Sequence, residues 1–156
     1  MMSRWRRFRR LSAFEQLVVL EAVAALPIAW VVLRVFGFGL FKPSLANASG
    51  KVTINPQPAL STALELSRRI AHLEAAVAAS LPLGTTCLEQ SVVLCWVLRR
   101  RGMNPELRVG GRKTANRFEA HAWVELNGNI LNGGETERAL FVPFTHFDPT
   151  MEAQTH

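Results

Sequence analysis

The chain has 156 residues, 49% of them hydrophobic, and a formal net charge of +6; that length supports one domain burying roughly 70% of its surface. Arg4, Arg6, Arg7, Arg9 and Arg10 supply five of those charges, leaving 13 basic against 12 acidic residues elsewhere. A charge held in a tail excludes the basic face that a nucleic-acid-binding domain needs. Repeats, glycine-rich phosphate loops and metal-ligand spacings are missing from the sequence, so no metal or other cofactor is expected.

In chain order, the arginine tail leads into an apolar stretch, Leu17 to Phe41, interrupted by Glu21, Pro27 and Arg34. The charge-free part, Ala22 to Leu33, is shorter than the ~20 residues of a spanning helix, and Pro27 is expected to kink or interrupt a helix there. Three readings are open for residues 1–41: a helix packed on the domain, a peripheral membrane contact with arginines at anionic headgroups, or a docking face for a partner. Residues 42–58, with three prolines, read as a linker. A second helix is expected near 59–80, with Leu66, Ile70, Leu73 and Val77 forming its packing stripe and His72 off it. Residues 59–150 form the core domain.

The segment from Thr85 to Gly102 carries helix punctuation at both ends. Thr85 or Thr86 caps it, Glu89 sits in the first turn, Arg99, Arg100 and Arg101 suit the carboxyl end of the dipole, and Gly102 stops it. Cys87 then falls in the first turn, where orphan N–H groups and the positive end of the dipole favour a thiolate. The same amides can hold an oxyanion, with Gln90 a lesser candidate for that role. Cys95 falls mid-helix among Leu94, Trp96 and Val97, and reads as a buried hydrophobe. The two sulfurs are about 12 Å apart in rise, too far for a disulfide or a shared metal, which suits a reducing, cytoplasmic setting.

Met103-Asn104-Pro105 turns the chain into a strand near 106–110, after which Gly110 to Lys113 reads as a hairpin loop or a lip for an extended peptide. Arg117 to Leu126 alternates with period two: Phe118, Ala120, Ala122, Val124 and Leu126 on one face, Arg117, Glu119, His121, Trp123 and Glu125 on the other. The first face is expected to pack inward, leaving His121 on a face that tolerates polar groups. Asn127-Gly128 predicts a two-residue type I′ turn into a strand over 129–132, pairing Leu126 with Asn129 and Val124 with Leu131. That register puts Asn132 on the His121 face and Gly133 on the opposite one. A last strand is expected over 139–147, with a frayed tail from Met151. The architecture is α+β: helices first, then a small antiparallel sheet.

Four blocks together resemble a known family: Cys87-Leu88-Glu89-Gln90-Ser91, Leu98 to Gly102, Leu107-Arg108-Val109-Gly110, and Ala120-His121-Ala122-Trp123-Val124-Glu125. They are similar to the leader peptidase of lasso-peptide biosynthesis, a transglutaminase-like, papain-related cysteine protease, and the likeness covers roughly residues 60–147. The resemblance implies that Cys87 is the nucleophile and His121 the base. The family carries an aspartate about a dozen residues after the histidine, completing its triad. Here Asn132-Gly133-Gly134 occupies that stretch, so Asn132 is the substitute for orienting the imidazole and Asp148 the other candidate. The resemblance also implies a precursor (leader) peptide as substrate, and a small leader-recognition protein and an ATP-dependent lasso cyclase as partners. Two other readings stay open: a transglutaminase-like acyl transferase, and a non-catalytic module that binds a leader or partner on the same fold.

Overall fold

The computed structural model describes residues 6, 8–37, 60–115, 117–134 and 139–143. Three helices come first: α1 (Ala13–Phe36), α2 (Leu60–Ala78) and α3 (Cys87–Arg99). Four strands follow: β1 (Glu106–Lys113), β2 (Phe118–Leu126), β3 (Asn129–Ile130) and β4 (Val142–Pro143). They form one antiparallel sheet in the order β3-β2-β1-β4. The proposed linker over 42–58, together with His146 and Asp148, lies outside the described residues.

A capping box starts α1. Ser12 Oγ accepts from the Glu15 amide at 3.2 Å, and the Glu15 carboxylate accepts from the Ser12 amide at 2.9 Å. The helix runs unbroken through Pro27, where the sequence pattern predicted a kink or interruption. Proline removes one ladder hydrogen bond, but Ala22, Leu26 and Ala29 on either side of it are buried in the core. Gly37 ends the helix at φ +68°, its amide reaching Leu33 O. Glu15 pairs with Arg69 of α2, and Glu21 with Arg101 at 2.8 Å, just past α3.

The predicted stripe of α2 is in the core: Ile70, Leu73 and Val77 are buried and Leu66 partly so. Ser67 and Glu74 are buried on the same helix. Helix α3 lies against α1, α2, β1 and β2, contributing Val93, Leu94, Cys95, Val97 and Leu98 to the core that Val18 and Leu26 of α1 share. The apolar segment before the linker is thus part of the same core as the helix carrying Cys87.

Strands β1 and β2 pair over their length, from Glu106↔Glu125 to Lys113↔Phe118. Gly110 and Gly111 are therefore strand residues rather than a loop or lip, and they also pair with Pro143 and Val142 of β4. The turn is as read: Asn127 (φ +50°) and Gly128 (φ +78°) are both left-handed, and Leu126 pairs with Asn129. Leu131 still donates to Val124 O at 2.9 Å, after which the chain leaves the ladder.

Candidate active site

Cys87 is the first residue of α3 and is partly buried. Thr86 precedes it with extended backbone (φ −86°, ψ 167°), and its amide donates to Glu89 Oε2 at 2.6 Å. Gln90 N closes the first helical bond on Thr86 O at 3.2 Å, and the capping box turns the Glu89 amide to the Thr86 side chain, so the amides of Cys87 and Leu88 are left without an acceptor in the helix. A thiolate or an oxyanion on the first turn meets these groups and the positive dipole end together. Gln90 Nε2 donates to Thr85 Oγ1 at 3.1 Å, which engages the side chain the sequence offered as an oxyanion donor.

Ser91 ties this turn to the sheet. It lies one turn after Cys87 on the same helical face and is fully buried. Its hydroxyl donates to Ala122 O, next to His121, at 3.1 Å. Ala122 and Val124 direct their peptide groups toward the edge of β2 where β3 has already ended. Ser91 fills one of those positions. Asn132 fills the other: its Oδ1 accepts from Val124 N at 2.8 Å, and its Nδ2 donates to Ser91 Oγ at 3.0 Å. Neither group is left buried and unpaired, which would cost about 1–3 kcal/mol. The bond of Ser91, one turn after Cys87, thus falls on the carbonyl of the residue that follows His121.

The hairpin register is as expected, but the ladder ends before Asn132, which does not take up the strand position expected of it. Its amide is used by Val124 and Ser91, not by the imidazole. The residue against the imidazole is Gly133, expected on the other face: a Cβ there would lie 2.7 Å from His121 Nε2. The chain bends after Leu131, and Gly133 and Gly134, at φ +83° and +66°, carry it across the ring.

His121, Trp123 and Glu125 share a face, as the alternation required, but that face is not solvated. Trp123 is 1% exposed, Glu125 is buried and His121 partly buried. The imidazole stacks toward Trp123 (centroids 6.1 Å, planes 17° apart) and meets Phe141 at 5.2 Å. Trp123 Nε1 donates to Glu125 Oε1 at 2.8 Å, and Arg108 lies 3.5 Å from the other carboxylate oxygen. Gly110 makes room for the indole, since a Cβ there would come within 2.9 Å of Trp123 and 2.8 Å of Val142 O. Arg112 caps Phe141 at 4.9 Å and bonds Glu119 at 2.7 Å; that hydrogen bond holds the Glu119 carboxyl below the usual range.

Cys95 contrasts with Cys87. It is buried, and desolvation pushes its thiol up to about 12, against a smaller opposing effect of Arg99. Among the described residues no three His, Cys, Asp or Glu side chains converge to hold a metal. Sequence reasoning missed Ser91, Gly133 and Phe141. Only Ser91 carried a signal, its spacing of four from Cys87.

No curated protein and no solved structure matches the chain. A family model described as the transglutaminase-like superfamily matches residues 22–146, from within α1 to beyond β4. With the helices-then-sheet order and a cysteine opening the helix that packs on the histidine strand, the chain belongs to the transglutaminase-like superfamily.

Proposed function

We propose that this chain is a cysteine peptidase that removes the leader from a ribosomally made lasso-precursor peptide. The observation that supports the reading is the Ser91–Ala122 bond, made one helical turn after Cys87 and at the residue after His121. The Cys87 thiolate adds to the scissile carbonyl carbon, and the carbonyl oxygen becomes an oxyanion facing the first-turn amides. His121, having taken the thiol proton, passes it to the leaving amine as the C–N bond breaks. Water then adds to the thioester with His121 as base, and the regenerated thiol leaves a free carboxylate. Asn132 acts one step removed, setting the edge of β2 through Val124 and Ser91 rather than holding the ring. The resemblance of the four sequence blocks supports the lasso precursor as substrate, a separate leader-recognition protein and an ATP-dependent cyclase as partners, and a cytoplasmic setting.

Superfamily membership favours a second reading, transfer of the acyl group to an amine instead of water. Both share the thioester, and product mass separates them. Incubating the full chain with a lasso-type precursor, with and without the leader-recognition protein, should give two fragments summing to the precursor plus one water. A product bearing the amine without added water establishes transfer. Unchanged precursor in every combination, with the precursor still bound, establishes the non-catalytic module.

A further inference from the structure

Helix α1 is apolar on both faces. One stripe, Val18, Ala22, Leu26 and Ala29, is buried in the core. The opposite side carries Leu17, Leu20, Val23, Ile28, Val31 and Val35, with Leu20 and Ile28 57% and 63% exposed. That face runs for roughly 27 Å along the helix. An apolar strip of this size on a folded chain marks an interaction surface. Both acidic residues of the helix are paired with arginines, Glu15 with Arg69 and Glu21, at the groove beside this face, with Arg100 and Arg101, so neither carboxylate stands unpaired toward an anionic surface. Beside the exposed face, between α1 and α3, a mostly apolar open groove of about 670 Å³ is lined by Leu20, Ala24, Ile28, Val92 and Trp96, with Glu21 and Arg99 as its charged residues. Arg34 lies over Trp30 at 4.6 Å and Arg100 over Trp96 at 5.0 Å. Arg4, Arg6, Arg7, Arg9 and Arg10 precede the helix.

We propose that the exposed face of α1, with the groove beside it, docks the protein on an anionic phospholipid surface. The apolar strip enters the headgroup–acyl boundary, the groove takes acyl-chain methylenes, and the arginines meet lipid phosphates. The helix is apolar and long enough to cross a bilayer, but here it lies in the interface. Crossing would strip Val18, Ala22, Leu26 and Ala29 from the core and break the Glu15 and Glu21 ion pairs. Charge selects lipid over a second copy, because a symmetric pair on this face would add a second arginine cluster of the same sign.

The test is flotation of the full chain with vesicles of phosphatidylcholine alone or mixed with phosphatidylglycerol. The wild type should float with the mixed vesicles, and binding should fall roughly tenfold or more on neutral vesicles or in high salt. The double variant Ile28→Asp, Val31→Asp should lose binding while keeping the wild-type thermal melt and Cys87 labelling rate, because both side chains are already exposed. Equal flotation of wild type and variant overturns the proposal. So does a wild type that stays off both vesicles, whether monomeric or as a dimer that the variant dissociates.

Discussion

Glu74 makes the most quantitative prediction. It is 1% exposed within α2, Oε1 meets no donor among the described residues, and desolvation raises its carboxyl from 4.5 to about 8. The folded state therefore keeps a proton that the unfolded chain releases above about pH 4.5, and stability falls as pH rises between those two values. Below pH 4.5 both states are protonated and the site costs nothing; above pH 8 the penalty is complete. At pH 7 the difference corresponds to about 3 kcal/mol, a sizeable part of the 5–15 kcal/mol typical of a domain. Glu74→Gln keeps the shape and removes the titration. Urea unfolding, followed by circular dichroism at pH 5, 6 and 7, should show the variant gaining on the wild type by about 2–3 kcal/mol across that range. Parallel curves would refute the reasoning, by showing that the carboxylate ionises in the folded state without penalty.

Three further substitutions probe the site. Gly133→Ala puts a methyl 2.7 Å from His121 Nε2 at a left-handed φ, so precursor cleavage should fall roughly a hundredfold with helix content unchanged, and intact turnover would contradict the geometry. Gly110→Ala collides with Trp123 and Val142 O, and thermal melts should show a loss of about 1–3 kcal/mol, whereas an unshifted melt would mean β4 yields freely. Ser91→Ala leaves Ala122 O and Asn132 Nδ2 without their partner, and chemical unfolding should register about 1–3 kcal/mol.

Local rules gave the elements that build the site. Thr86, Glu89 and Gly102 punctuate α3, the alternation from Phe118 to Leu126 is a strand, and Asn127-Gly128 fixes its hairpin. What escaped depended on distant residues. The His121 face looked polar, yet Phe141 and β4, well downstream, cover it, and only Gly110 lets Trp123 lie flat. The fate of Asn132 turned on where β3 ends. With pairing stopped at Ile130, its amide satisfies the free edge of β2, and Gly133 comes to the imidazole instead. Pro27 does not interrupt the helix, held by core neighbours on both sides. Glu74 was readable in principle: it lies four residues after Ile70 and three before Val77, on the predicted stripe.

The central claim is that Cys87 and His121 work as a pair. Its most direct test is the rate of iodoacetamide labelling at Cys87 at pH 7, read by peptide mass spectrometry, in the wild type and in His121→Ala. Cys95, buried with its thiol near 12, is the internal reference and should stay unlabelled in the folded chain. The account predicts rapid labelling of Cys87 that slows roughly tenfold or more without the imidazole. Equal rates in the two proteins would contradict it.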